Sequence, residues 1–393
     1  MTVIGEGNCC VRPLLLFAGG GTGGHLFPLL AVADMVRARA DVSVVFAGTS
    51  RGLEAKLLPA RGEWLETLDL APIKGGGSKG AVRGVAKAFL ALPKAHSLLG
   101  RLRPRAVLSV GGYASGPIGV AAWGRRTPVA ILEPNSLMGL ANRWLAPFAR
   151  RVYVAFPEVE RNWGAKARRT GVPLRAAFQP QSYDPQPDRF HVLVLGGSQG
   201  AALLNQHMPD ALVQAKCAIP ALTVTHQAGR DRDAEVGRRY GELGARGVAG
   251  ANDWVEVVPF IDDVARALAR ADLVVQRSGA CAVAELCAIG RPAVLIPFAR
   301  AADDHQRKNA EALETAGAAI CLLEDDASAE RIEREVVSLS RDPERRSRMA
   351  RAAAQRACVG AAGAVANDLL EIARIPLRSP ADLSTATNGV QHV

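Results

Sequence analysis

Short unbroken apolar runs alternate with longer mixed stretches through the first half of this chain. The runs are LLLFA (14–18), VSVVFAG (42–48), RAVLSVGG (105–112), PVAILEP (128–134) and RVYVAF (151–156). An unbroken run predicts a strand covered on both faces, so these point to parallel sheet in an α/β fold. Residues 26–39 read as a helix between the first two strands. The rhythm stops at GVPLRAAFQPQSYDPQPDRF (171–190), whose four prolines and lack of period predict a linker. It restarts at HVLVLGGSQGAALLN (191–205), with further strands predicted at 221–227, 255–260, 272–276, 293–297 and 318–322. Two doubly wound, parallel-sheet domains are expected, each opening strand, glycine-rich turn, helix. The 393 residues suit that division, because a single core stops growing at about 250–300 residues.

Composition adds little until charge is mapped. Hydrophobic residues make up 49% and charged ones 22%, which excludes wholesale disorder; only Pro376–Val393 reads as a loose polar tail. Seven cysteines form no CxxC and no short-spaced framework, which predicts reduced thiols in the cytoplasm and no metal site. No signal peptide is expected, and no window reaches the roughly 18–20 apolar residues of a membrane helix. The net charge of +10, however, is concentrated. No acidic residue lies between Asp69 and Glu133, an interval holding Lys74, Lys79, Arg83, Lys87, Lys94, Arg101, Arg103, Arg105, Arg125 and Arg126. Those ten equal the whole excess and imply a partner with negative charge, nucleic acid or an anionic membrane. In SKGAVRGVAKAFLAL (78–92), Lys79, Arg83 and Lys87 recur every four residues beside Val82, Val85, Phe89 and Leu92, a helix that Pro93 should end or kink. The apolar stripe reads as core or as an interfacial face on anionic lipid.

The turns carry the candidate chemistry. FAGGGTGGHLFP (17–28) lacks the acid of a dinucleotide fingerprint, since the second strand ends with Ala47 and Gly48, and no GK[ST] makes it a P-loop. It is either a tight turn or a close-approach wall closed by a titratable imidazole, His25. GGSQGA (196–201) puts Ser198 at a helix start, as an N-cap or as part of an anion site. RSGACAVAE (277–285) offers the amides of residues 280–283 at a helix N-terminus, with Glu285 one turn on, placed to accept from ribose hydroxyls. Gln306 and Asn309 share a face of the helix begun in PFARAADDHQRKNAEA (297–312).

In this order and at these distances, GGGTGGH, GGYASGP (111–117), GGSQGA, FIDD (260–263), RSGACAVAE and HQRKNA (305–310) resemble the MurG family. These are the UDP-N-acetylglucosamine:lipid I N-acetylglucosaminyltransferases of peptidoglycan synthesis. The likeness runs from about residue 14 to about residue 370. It implies a GT-B fold, two Rossmann-like domains facing across a cleft, and an inverting transfer with neither metal nor cofactor. The implied domains are 1–175, binding acceptor and membrane, and 176–360, binding UDP-GlcNAc. A C-terminal helix at about 361–375 would pack back on the first domain, with 376–393 as a flexible tail.

Carried over residue by residue, the resemblance implies that Thr22, Gly23 and Gly24 line the donor side of the cleft. Asn135 and Arg175 would face phosphates or sugar, and Ser198 would hold phosphate. Ile261 would present backbone groups to uracil. Ala280, Cys281, Ala282, Val283 and Ala284 would take the diphosphate, Glu285 the ribose, and Gln306 the GlcNAc hydroxyls. His25 is the candidate base, with Glu133 second. The implied partners are UDP-GlcNAc, lipid I and an anionic membrane surface met through segment 74–105, not nucleic acid. The implied place is the cytoplasmic side of the cell membrane, as a peripheral protein. Three departures stand out: Leu132 and Pro134 replace a His and a Gln, Ala282 replaces a Thr, and APIKGGGSKG (71–80) is longer than the usual loop. Two other functions fit parts of the pattern, a UDP-GlcNAc 2-epimerase of the same fold and a basic nucleic-acid-binding protein. The concentrated basic patch speaks against the first, and the absence of interleaved aromatics against the second.

Overall fold

The structure is a computed structural model. It describes residues 12–378 except 22, 51, 69–77, 113, 198–199, 246–251, 300 and 302–303; side chains are also left out at 78–89, 158, 245 and 252. Calls on Thr22, Ser198, Lys74, loop 71–77 and tail 379–393 therefore lie outside the described residues, as do the side chains of Lys79, Arg83 and Lys87.

Among the described residues thirteen strands form two sheets, every neighbouring pair parallel. The first sheet holds β1 (Leu14–Gly19), β2 (Ser43–Gly48), β3 (Leu65–Thr67), β4 (Ala106–Gly111), β5 (Val129–Glu133), β6 (Arg151–Val154) and β7 (Ala167–Arg169), in the order β3-β2-β1-β4-β5-β6-β7. The second holds β8 (Phe190–Leu195), β9 (Leu222–Gln227), β10 (Val255–Val258), β11 (Leu273–Gln276), β12 (Ala293–Leu295) and β13 (Ala319–Cys321), in the order β10-β9-β8-β11-β12-β13. The edge strands β3 and β7 were not anticipated: each is three residues long, with Glu66 in one and two arginines in the other, too short and polar to leave an apolar run.

Both faces of each sheet are covered, as unbroken apolar runs require. Along β1, Leu15 and Phe17 enter one core with Leu29, Val32 and Val36 of the helix Gly23–Arg39. Leu16 and Ala18 enter another, with Ala95 and Leu99 of the helix Ser78–Leu102 and Ile118 of the helix Ser115–Gly124. Val192 and Val194 of β8 likewise face Leu204 and Met208 of the helix Ala202–Ala218, while Leu193 and Leu195 face Val283 and Leu286 of the helix Ala280–Ile289.

Of the end or kink expected at Pro93, the end does not occur: the helix runs through it to Leu102. A mid-helix proline costs about 3 kcal/mol. Here Ala91 lies buried before it and Ala95, Leu98 and Leu99 after it, so packing on both sides carries the helix across.

Two compact units result. The first comprises the chain up to Pro134, Met138–Pro173 and Gly360 onward; the second comprises Asn135–Leu137 and Leu174–Val359. The helix Ala361–Ile372 belongs to the first unit, where Val365, Ala366, Leu369 and Leu370 are buried with the helix Gly23–Arg39. Polar ties reinforce it: Arg39 donates to the Gly363 carbonyl at 2.8 Å, and Asp368 accepts from the Tyr153 hydroxyl at 2.7 Å and pairs with Arg151 at 3.2 Å. Among the described residues no helix is long and apolar enough to cross a membrane.

Candidate active site

Strand order reverses between β1 and β4 in the first sheet and between β8 and β11 in the second. At such switch points adjacent loops leave in opposite directions and open a crevice beyond the strands' carboxyl ends. Four of the predicted turns stand there, those after β1, β4, β8 and β11, whereas the one opening at Pro297 follows β12.

In the first unit, His25 sits in the first turn of its helix, half-buried, with Nδ1 3.2 Å from the Gly20 carbonyl. A carbonyl only accepts, so the proton of this contact is on Nδ1, and in that tautomer Nε2 is the acceptor nitrogen. Gly23 begins that helix, where a Cβ would lie 3.0 Å from the Phe27 ring, and Gly24 follows, half-buried. Behind the turn lies a residue that sequence reasoning missed, Glu54, fully buried. Its carboxylate accepts from Gly21 N at 2.7 Å, Thr49 N at 3.0 Å and Thr49 Oγ1 at 2.8 Å. The signal was an acid shortly after β2, six residues past the place where a dinucleotide fold carries its ribose acid. Ser115, also buried, donates from Oγ to the Ala18 carbonyl at 3.2 Å and joins the turns after β1 and β4.

Glu133, the second candidate base, closes β5. It is 2% exposed, and its Oε2 accepts from Gly139 N at 2.9 Å and Asn142 Nδ2 at 3.0 Å. Through that oxygen the carboxylate ties the 134–141 loop to the end of β5. Leu132 and Pro134 beside it are buried, whereas Asn135 is half-exposed and groups with the second unit.

In the second unit, Gly200 (φ +72°) turns so close to the Ala228 carbonyl that a Cβ would collide with it. Asn205 Nδ2 donates to the same carbonyl at 2.9 Å, and its Oδ1 lies 3.2 Å from Nε2 of the buried His226. Nδ1 of that ring lies 3.1 Å from the Tyr240 hydroxyl; burial pulls the His226 pKa down to about 3, so the turn rests on a neutral ring.

Gly279 caps the helix Ala280–Ile289 with no side chain on its amides. The N–H groups of Ala280 and Ala282, in its first turn, have no carbonyl to bond within the helix. Ser278, expected to open this helix, is buried and donates instead to the Gln306 carbonyl at 2.8 Å; Asn309 Nδ2 donates to the Ser278 carbonyl at 3.0 Å. Gln306 Oε1 accepts from Phe298 N at 3.1 Å. Val283 packs in the core, while Cys281, Ala282, Ala284 and Glu285 are half-buried; burial pushes the Cys281 thiol up. Glu285 Oε1 lies 3.9 Å from Arg175, so these two predicted residues come together. Burial pushes the Glu285 carboxyl up to about 7, against the pull of that guanidinium. Arg175 belongs to the second unit, its guanidinium 5.1 Å over Phe178. Ile261 is half-exposed just before the helix Val264–Arg270, whose cap Asp263 accepts from Arg266 N at 2.9 Å. A further brace, Arg277, escaped sequence reasoning: it donates to the Ile296 carbonyl at 3.1 Å and pairs with Glu324 at 2.6 Å, linking the ends of β11 and β12.

Comparison with known proteins agrees with these motifs. Residues 15–154 match the glycosyltransferase family 28 N-terminal domain, and residues 191–363 match its C-terminal domain. A Sorangium cellulosum protein named UDP-N-acetylglucosamine--N-acetylmuramyl-(pentapeptide) pyrophosphoryl-undecaprenol N-acetylglucosamine transferase is 51% identical, over 92% of this chain and 89% of its own. The crystal structure of Acinetobacter baumannii MurG superimposes with a TM-score of 0.73 at 29% identity, over 92% of this chain and 99% of that one. A Neisseria meningitidis UDP-GlcNAc 2-epimerase superimposes at 0.62 with 12% identity, over 92% of this chain and 100% of that one, a likeness of fold alone. The chain is thus a glycosyltransferase of GT-B fold, and it belongs to the MurG family within glycosyltransferase family 28.

Proposed function

We propose that this protein moves GlcNAc from UDP-GlcNAc to the C4 hydroxyl of MurNAc in lipid I, with inversion, giving lipid II for peptidoglycan synthesis. The observation that carries the reading is the 51% identity, over nearly the whole chain, to a transferase whose name states both donor and acceptor. The attacking hydroxyl passes its proton to Nε2 of His25, and its oxygen bonds to the anomeric carbon from the face opposite UDP. The anomeric C–O bond breaks with its electron pair going to UDP. Charge building on the diphosphate is met by the amides opening the helix Ala280–Ile289, each end effect contributing about 0.3–1 kcal/mol. Glu285 accepts from the ribose hydroxyls with Arg175 beside it, Gln306 turns its amide to the GlcNAc, and Ile261 borders the uracil. The second unit takes the donor and the first unit the acceptor.

Lipid I is membrane-embedded, so the enzyme works at the cytoplasmic face of the membrane. Supporting this, Trp123 (53% exposed), Trp144 (59%) and Phe148 (45%) stand on the first unit, the Trp123 and Phe148 rings tilted against each other with centroids 4.7 Å apart, and Arg125, Arg126 and Arg143 are exposed near them in sequence. Aromatic bodies suit the headgroup level, and each nearby arginine adds about 1 kcal/mol on anionic lipid.

The test is UDP release from UDP-GlcNAc that depends on added lipid I. His25→Ala should lose at least about a hundredfold in kcat, the scale of general base catalysis, while still binding UDP. Wild-type turnover by that variant removes His25 from the mechanism. Charge reversal at Lys79, Arg83 and Lys87 should release the protein from phosphatidylglycerol vesicles; undiminished binding refutes the membrane surface.

A further inference from the structure

Gly20 and Gly21 share one peptide group that is held from both ends. Its N–H donates to Glu54 Oε2 at 2.7 Å, and its C=O lies 3.2 Å from His25 Nδ1. The carboxylate is fully buried and wrapped by glycines: a Cβ on Gly20 or Gly52 would collide with it, and one on Gly48 would come within 2.7 Å of its Cγ. Thr49 holds the other oxygen with its amide and its hydroxyl. The carboxyl therefore has one orientation, and one of its oxygens is committed to the peptide.

We propose that Glu54 is a positioning residue for His25, acting through that peptide group. The proposal rests on the reading of His25 as the base. An N–H bonded to a carboxylate polarises its own amide, so the carbonyl at the other end becomes a stronger acceptor. A stronger acceptor at Nδ1 holds the proton there, leaves the Nε2 lone pair for the substrate and fixes the ring's rotation. It also steadies positive charge on the ring when Nε2 takes the proton. The arrangement is a carboxylate–histidine pair with one backbone amide inserted between the partners, so the imidazole is oriented without a charged side chain in contact with it. The wrapping glycines are explained too, since a side chain at 20, 48 or 52 would displace the carboxylate.

Glu54→Gln keeps the volume and one accepting oxygen while removing the charge, and circular dichroism with thermal melting selects conditions where it is folded. The protein labelled with 15N-histidine reports which ring nitrogen is protonated, the His25 signals being assigned by difference from His25→Gln. The wild-type ring should be the Nδ1–H tautomer. Folded Glu54→Gln should show mixed tautomers, with kcat lower by about 10–100-fold, the usual cost of losing an orienting partner, and KM for both substrates within about twofold. Glu54→Asp, which keeps the charge, should recover part of the rate. An Nε2–H tautomer in the wild type overturns the proposal without any variant, and so does an unchanged tautomer in folded Glu54→Gln. If His25→Ala is inactive while Glu54→Gln turns over at the wild-type rate, the positioning role falls and His25 stays the base. If both turn over fully, the base reading itself has failed.

Discussion

The two glycine turns after β1 and β8 look alike in sequence and sit at equivalent switch points, yet they are backed differently. Behind Gly20–Gly21 lies the buried carboxylate of Glu54, which has taken the Gly21 amide. Behind Gly200 lie the Ala228 carbonyl and, through Asn205, the neutral ring of His226. A turn with a negative charge beneath it and an amide already spent repels a phosphate; a turn on a neutral base, beside a helix start capped only by glycine, does not. The glycines in the two turns thus serve different ends, and local sequence does not distinguish them. Fold symmetry supplied two switch points, and one buried acid separated their chemistries.

The largest effect should come from crowding each turn. Gly20→Ala and Gly200→Ala should each lose about 3 kcal/mol or more, from a forced close contact at an unfavourable φ. The comparison lies in the rescue. Gly20→Ala meets a side chain, so combining it with Glu54→Ala should cost less than the sum of the two changes in a double-mutant cycle of urea melts. Gly200→Ala meets the Ala228 backbone, and truncating Asn205 should bring no rescue. Full additivity at Gly20 would deny that Glu54 fills that space.

Glu285 comes next. Its folded pKa of about 7 lies above the ordinary 4.5, so the folded state binds the extra proton and stability falls as pH rises from 4.5 through 7. Glu285→Gln removes that penalty and should be more stable than wild type by about 3 kcal/mol at pH 8, an advantage shrinking toward pH 4.5. Calorimetry should show weaker UDP binding by the same variant; unchanged affinity contradicts the ribose assignment.

His226 has the opposite sign. With a folded value near 3 against 6.5, it is protonated first in the unfolded chain, so stability drops as pH falls below 6.5, by about 2 kcal/mol at pH 5. His226→Phe should flatten that acid limb for the second unit. An acid limb as steep as the wild type's would show that the neutral ring is not what backs the turn.

The smallest effect concerns the diphosphate turn. Ala282→Thr adds one hydroxyl in the first turn of the helix Ala280–Ile289 and should tighten UDP by about 1 kcal/mol, roughly fivefold. Weaker binding would mean that this turn does not contact the diphosphate.

The strand runs and the turns were legible because each is written in a few consecutive residues. Burial on both faces leaves an unbroken apolar run, and a sharp strand-to-helix turn leaves glycines. Other features took their form from partners that the local sequence does not name. Pro93 leaves a helix end or a kink open, and buried Ala91 before it and Ala95, Leu98 and Leu99 after it carry the helix through. Glu133 carries the chemistry of a base, and the structure adds two partners for its Oε2, Gly139 and Asn142. Ser278 stands just before a helix start, and its hydroxyl donates to Gln306, 28 residues on. What stayed open was a partner's identity and not an element's existence.

By itself, then, the sequence determined the parallel architecture, the duplicated turns and the family, because periodicity and backbone sterics act over a handful of neighbours. Only the tertiary structure decided what stands behind each turn. Glu54 meets Gly21 across 33 residues, and Asn205 meets Ala228 across 23. Such contacts arise when right-handed crossovers stack parallel strands side by side, and no local pattern encodes which side chain lands beneath which amide.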